Sequence, residues 1–474
     1  MNTSAQPETR RWPPQIKFIV GNEACERFSY YGMRSILAGY ITGAVLKGGL
    51  GQDADTSTEI IHLFVFANYF MPLFGAWLSD KFIGRYRTIL WVSLFYCAGH
   101  GVLACSDFVG GGVHGKLTCL FIGLALIAFG SGGIKPCVSA FMGDQFKPEQ
   151  SHLLQKAYGA FYWAINFGSF FSFLVIPWIK DHHGYSLAFG VPGILMAIAT
   201  FIFWLGTKHY VRVPPSRETK HAGFFKVFFG ALLGKREAGK SFWDAARNRF
   251  SESEIDAAKS VPPILFVFAL VPIFWSLFDQ TNSTWVLQGQ KMVPAKFLGL
   301  DIGAEQMQSM NPLIVMLLVP LFTLGIYPRL GRFASPLRRM AYGMFLAAGS
   351  YLIVAALQKQ IEAGAQLSVL WQTAPYIVLT AAEVLISTTG LEFAFREAAP
   401  ELKSIIMSFW LLTVAFGDLL VAAITKIFAN GTGESSVSTN RFLLYAGLTF
   451  IVAILFSLIA TTYRYRDAAA AQGK

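Results

Sequence analysis

Apolar windows of about 20 residues, the length that crosses a bilayer, recur twelve times along the chain. They fall at about 16–46, 58–79, 87–105, 117–143, 155–178, 186–206, 261–287, 305–327, 337–357, 371–395, 402–429 and 440–463. The longest polar interval follows the sixth window. The pattern predicts an all-α membrane protein with two six-helix bundles, 1–206 and 261–474, joined by a cytoplasmic linker, 207–260. Inside that linker, the stretch from Gly223 to Leu233 is apolar but too short to span. It reads either as an amphipathic segment on the bilayer surface or as a disordered tether.

Composition supports the membrane assignment. Of 474 residues, 54% are hydrophobic and 14% charged, where a soluble globule carries about a quarter charged. The 43 Phe and 11 Trp suit lipid-facing surfaces and interfacial belts. A net charge of +11 can signal nucleic acid, but here the basic residues sit in short segments between apolar runs. With the N-terminus inside, the cytoplasmic loops hold about 28 Lys and Arg against about 7 outside, the asymmetry that orients membrane helices. The partner implied is the lipid bilayer, not nucleic acid, with both termini cytoplasmic. Met1 to Pro14 is polar and lacks a signal-peptide pattern, so the first helix is expected to be retained. Cys25, Cys97, Cys105, Cys119 and Cys137 have no metal-ligand spacing and read as free thiols. Cys105 and Cys119 flank one outer loop, and a bridge between them stays open. No nucleotide-binding loop, His-Glu-x-x-His site or Gly-x-Ser-x-Gly elbow is present, which argues against an enzyme and against nucleotide-driven work.

The informative positions are the polar ones at membrane depth. In the first window Glu23, Glu26, Arg27, Tyr30, Tyr31 and Arg34 fall within an arc of roughly 140° on a helix. Four ionisable groups on one face of a spanning helix are costly, and they point to a water-filled pathway. His62 shares a face with Tyr69 in the second window; packing and function are both open for it. Lys135 follows the small-residue run Gly130-Ser-Gly-Gly, which permits close helix approach. Asn166 in the fifth window reads as an interhelical hydrogen bond or a ligand group. The second half contributes Asp279, Asn311, Glu383 and Trp410. Glu392 and Arg396, four apart, read as a structural pair. Asp80, between the second and third windows, is placed to pair with a nearby Arg, and the stretch Gly325 to Arg332 is a weak echo of that loop. Sorted by half, Arg27, Arg34 and Lys135 face Asp279 and Glu383. A cavity with one cationic and one anionic wall suits a small zwitterion. A peptide of two or three residues, at no more than about 3.5 Å per residue, has charged ends that reach both walls.

Two parallel halves of six resemble the major facilitator superfamily. Glu23-x-x-Glu-Arg-Phe-x-Tyr-Tyr-Gly32, Phe161-Tyr-Trp-x-Ile-Asn166, Phe274-Trp-Ser-Leu-Phe-Asp279-Gln280 and the stretch Glu383 to Phe393 together resemble the proton-coupled oligopeptide transporter family. The chain is similar to a bacterial member that shares several motifs with the mammalian ones. The resemblance implies proton-driven uptake of di- and tripeptides by alternating access in a bacterial inner membrane, with no cofactor beyond the proton and a monomeric protein. It implies that Arg27, Arg34 and Lys135 meet the peptide carboxylate, and that Glu383, Asn166 and Asn311 meet the amino group. Tyr31 and Tyr69 would touch the peptide, and Trp410 would shape the pocket. Glu23 and Glu26 would link proton to peptide through Arg27, Asp279 would gate with Arg34, and His62 would couple protons. Burial disfavours a charged carboxylate and a neighbouring cation favours it, so these acids can change protonation as their Arg partners are taken or released. Nitrate or another organic anion is the alternative substrate on the same fold, and a sensor that does not transport is another. Glu383 opposite the cations favours a ligand with an amino group.

Overall fold

The computed structural model of the chain describes residues 12–215, 223–234, 241–297, 299–331, 335–431, 433–463 and 465. The first half consists of α1 (Ile16–Thr42), α2 (Ala54–Leu78), α3 (Gly84–Ala104), α4 (Gly112–Gly143), α5 (Ser151–His183) and α6 (Tyr185–Leu205). The linker holds α7 (Phe224–Leu233) and α8 (Glu252–Lys259). The second half runs through α9 (Val261–Phe268), α10 (Pro272–Phe278), α11 (Thr284–Gly289), α12 (Met310–Pro320), α13 (Tyr327–Leu330), α14 (Pro336–Glu362), α15 (Thr373–Glu383), α16 (Thr389–Glu397), α17 (Lys403–Gly431) and α18 (Thr439–Thr462). A short antiparallel hairpin, β1 (Ala295–Phe297) and β2 (Leu300–Ile302), sits in the outer loop before α12.

Among the described residues, nine helices are long and apolar enough to cross a membrane, or ten if one bent pair is a single span. Three features separate this number from twelve windows. Helix α1 is 27 residues long but carries Lys17, Glu23, Glu26, Arg27 and Arg34, too many charges for an apolarity test. The bent pair, Glu252–Phe268 and Pro272–Asn282, turns by 43° where Pro272 removes a helical N–H; this helix also begins nine residues before the predicted start at 261. Finally, helical structure runs unbroken from Ala54 to Ala104, through a π-turn at Ser79–Ile83. It is nonetheless two antiparallel arms. A Cβ on Gly132 would strike Asn68 and Met71, and one on Gly130 would strike Tyr96. Asn68 and Tyr96 would be about 42 Å apart on a straight helix, yet they flank the same turn of α4. Gly84, at φ 77°, supplies the left-handed backbone at the reversal.

The predicted loop chemistry is present with a different main partner. Arg85, at the start of α3, lies 3.8 Å from Asp80 but 2.7 Å from Asp144 at the end of α4. The second half repeats this arrangement: Arg339, in the first turn of α14, reaches Glu392 of α16 at 2.6 Å. Glu392, expected to form a structural pair with Arg396, thus takes part in a bond between helices. The linker segment is a helix, not a tether. Phe224 and Val227 are buried, and the Phe224 and Phe225 rings lie 6.2 and 5.9 Å from Phe409. All five cysteines are free, with Cys105 exposed and Cys119 buried, so the bridge between them is not formed.

Candidate functional site: a cavity between the halves

The two halves are joined at one end. Arg34 Nη2 of α1 donates to Asp279 Oδ1 at 2.6 Å. Lys180 Nζ of α5 donates to Glu305 Oε2 at 2.6 Å, and Gln308 Nε2 donates to the Ser35 carbonyl at 3.0 Å. From α2, the Thr58 hydroxyl lies 3.1 Å from that of Ser436, and Asp55 accepts from the Ser436 N–H at 2.5 Å. Apart from Asp279 at the end of α10, these residues lie in the C-terminal parts of α1 and α5, the N-terminal end of α2, or the loops before α12 and α18. By the predicted orientation, that is the outer face. Arg34 and Asp279 are both nearly fully buried, where removing one partner of a pair costs about 3–5 kcal/mol.

Below this seal lies a cavity of about 200 Å³. Tyr31, Arg34, Tyr69 and Asn166 line it from the first half, and Asp279, Asn311 and Glu383 from the second. Seven of the thirteen expected site residues thus share one wall system. Glu383 ends α15, immediately before a π-segment at Val384–Thr388, an irregularity frequent at functional sites. Its Oε2 accepts from Asn311 Nδ2 at 2.7 Å. Asn166 donates to the Tyr162 carbonyl at 2.9 Å.

The other six residues stand one layer back or in a separate cluster. Lys135 Nζ sits 3.7 Å above the Tyr69 ring, is buried, and makes no hydrogen bond among the described residues. Arg27, expected at the peptide carboxylate, is held within its own helix: its Nε lies 3.0 Å from Glu23 and 2.5 Å from Glu26. All three are buried. Trp410 is only 5% exposed and backs the cavity through Trp275, at a ring separation of 6.3 Å. Its indole fills the space a Cβ on Gly390 would need. His62 is fully buried between the halves: Nδ1 lies 2.6 Å from Asp418 Oδ1 and Nε2 2.8 Å from Ser283 Oγ. Both ring nitrogens of His62 thus bond across the interface.

Sequence reasoning missed Asp418, Tyr162 and the Lys180–Glu305 pair. Asp418 was detectable as an acid within the apolar run of α17. Tyr162 precedes Asn166 by one helical turn and lines the same cavity. The Lys180–Glu305 bond joins loop-adjacent residues 125 apart in sequence, and no local pattern encodes that. Among the described residues, no group of three or more His, Cys, Asp or Glu side chains is arranged to hold a metal ion.

Comparison with known proteins places these observations. The profile of the POT family matches residues 86–441. The chain is 39% identical over 369 residues to peptide transporter family 1 of Drosophila melanogaster, covering 75% of this chain and 49% of that protein. It is 38% identical over 370 residues to human solute carrier family 15 member 2, covering 74% and 50%. The chain thus spans about half the length of these curated relatives. Two solved structures superpose closely. An auto-inhibited POT family peptide transporter has a TM-score of 0.86 at 38% identity, covering 95% of this chain and 98% of that one. The POT family transporter PepTSo also scores 0.86, at 39% identity, covering 96% and 99%.

Proposed function

Because this chain belongs to the POT family, a family of transporters with the major facilitator fold, we propose that it carries di- and tripeptides inward together with protons by alternating access. The observation that carries this reading is the cavity between the halves, with Lys135 behind Tyr69 and without a hydrogen bond among the described residues, and Glu383 on the opposite wall beside Asn311. An unpaired buried ammonium needs an anion, and a carboxylate held by a neutral amide can accept a cation. The two ends of a short peptide meet both needs. In this proposal Lys135 and Arg34 receive the peptide carboxylate. Glu383, Asn166 and Asn311 receive its amino group, and Tyr31 and Tyr69 flank the backbone. Trp410 supports the wall from behind. Arg27 acts at a distance: its pairing with Glu23 and Glu26 changes when a proton neutralises either acid. Asp279 gates with Arg34, and His62 couples protons.

We place both termini and the linker on the cytoplasmic side of a bacterial inner membrane, with twelve crossings divided at 207–260. The excess of basic residues in the inner loops supports that orientation. The protein acts as a monomer, with the proton as coupling ion and no other cofactor. Each 100 mV of inside-negative potential contributes about 2.3 kcal/mol per proton carried in. The direct experiment is uptake of labelled dialanine into proteoliposomes with and without an imposed proton gradient. Accumulation only with the gradient is expected. Nitrate uptake without dialanine uptake would overturn the reading.

A further inference from the structure

Asp418 is the one membrane-depth acid that the roles above leave unused. It is fully buried on α17, as are His62 on α2, which it contacts, and Ser283 before α11, which His62 contacts. One of its oxygens lies 2.6 Å from His62 Nδ1, and the other has no hydrogen-bond partner among the described residues. Its charge is also felt by Arg34 on α1, Lys135 on α4 and Asp279 at the end of α10, the last within side-chain hydrogen-bond reach.

The charges can be counted. Arg34 is cancelled by Asp279, which it touches. Arg27 meets Glu23 and Glu26 within its own helix, and Lys135 and Glu383 are the cation and the acid that the proposed function leaves to the two ends of the peptide. What remains is His62 and Asp418. With one proton between them the pair is neutral, whichever of the two atoms holds it. With none it is a net negative charge sealed from water, which is costly to bury. When the halves separate and water enters, the ordinary values apply: above about pH 6.5 a hydrated imidazole is neutral and a hydrated Asp is ionised, so the pair then holds no proton.

We propose that Asp418 makes closure of the outer face consume one proton, which bridges His62 and Asp418 while the halves are joined and leaves when they part. The proposal deepens the proton-coupled reading above, and it rests on that reading only in taking this proton as one that travels. The sign follows from the count. Above about pH 6.5, closing takes up a proton, so acidification favours the closed outer face. Below that value the hydrated His62 already carries the proton, and the dependence levels off.

The test measures outer-face distance against pH. Spin labels at Leu46→Cys and Lys291→Cys, both exposed on the outer loops, go into a background lacking Cys25, Cys97 and Cys105, reconstituted in lipid nanodiscs. The closed-to-open ratio of the otherwise native protein is expected to rise up to tenfold per pH unit as pH falls from 9 to about 6.5, then level off. Asp418→Asn keeps a hydrogen-bonding partner for His62 without a titrating proton, and its ratio should change less than about twofold per unit. Asp418→Glu should restore the dependence. A wild-type ratio that does not vary with pH, or an Asp418→Asn slope equal to the wild type, would overturn the proposal. If Asp418→Asn fails to fold, His62→Gln takes its place: Asp418 then takes up the proton alone on closure, so the dependence should continue below pH 6.5, and a levelling off there as in the wild type would overturn the proposal. A slope that depends on Asp418 in a protein that takes up no dialanine would leave this inference standing and remove the transport reading.

Discussion

At the scale of single residues, the decisive quantity is which buried charges have partners. Glu383 has a neutral one, Asn311, and in the proposed function the peptide ammonium supplies the missing opposite charge. Glu383→Gln removes one charge-assisted bond worth about 1.5–3 kcal/mol. Dialanine affinity, read as the concentration that half-inhibits labelled uptake, should weaken about 10- to 100-fold; undiminished affinity would contradict the assignment. Glu23 meets Arg27 rather than the cavity, so Glu23→Gln should stop accumulation under a proton gradient while peptide exchange persists. Counterflow beside gradient-driven uptake in the same liposomes separates these two outcomes. His62→Ala should flatten or displace the pH profile of uptake, because the imidazole bonds both Asp418 and Ser283. The candidate residues were legible because ionisable groups are rare at membrane depth. Their pairings were not, because a helical face specifies direction without specifying the residue that waits there. Arg27 and Lys135 illustrate the difference: equally cationic in the sequence, one is doubly paired and the other has no hydrogen bond among the described residues.

At the scale of elements, close packing depends on glycine where helices cross. A Cβ on Gly75 of α2 would lie 2.1 Å from the Gly133 carbonyl of α4, so even Gly75→Ala forces the two helices apart. Overpacking of this kind costs typically about 1–3 kcal/mol, and Gly75→Leu should lower the melting temperature of the purified protein further than Gly75→Ala does. The neighbouring run Gly130-Ser-Gly-Gly announced a close approach by composition alone. Which helices approach was not announced: α2 and α3 both do, one on each side. The reversal between them, the break before Pro272 and the π-segment after Glu383 lie inside or beside predicted windows. Apolarity runs through such irregularities because lipid and packed protein select the same side chains.

At the scale of the whole molecule, two bundles touch across an outer seal and enclose a charged cavity beneath it. Alternating access requires that seal to open. Thr58→Cys with Ser436→Cys, in a Cys105→Ser background, replaces hydroxyls 3.1 Å apart with thiols that an oxidant can join. Oxidation should abolish dialanine uptake and a reductant should restore it; uptake that persists in the cross-linked protein would show that the outer face need not part. The order of the helices was legible in the sequence alone, because bilayer thickness acts on each segment independently, while loop charge sets the expected inside face. The opposite signs of the two halves were also in the sequence, since they need only be summed. What the tertiary structure decided was the wiring: that Arg34 meets Asp279, that His62 meets Asp418 on α17, and that Lys180 reaches Glu305. Those contacts join residues more than a hundred positions apart, and hydropathy and charge cannot rank one distant partner over another until packing of the bundles brings the two side chains within hydrogen-bonding distance.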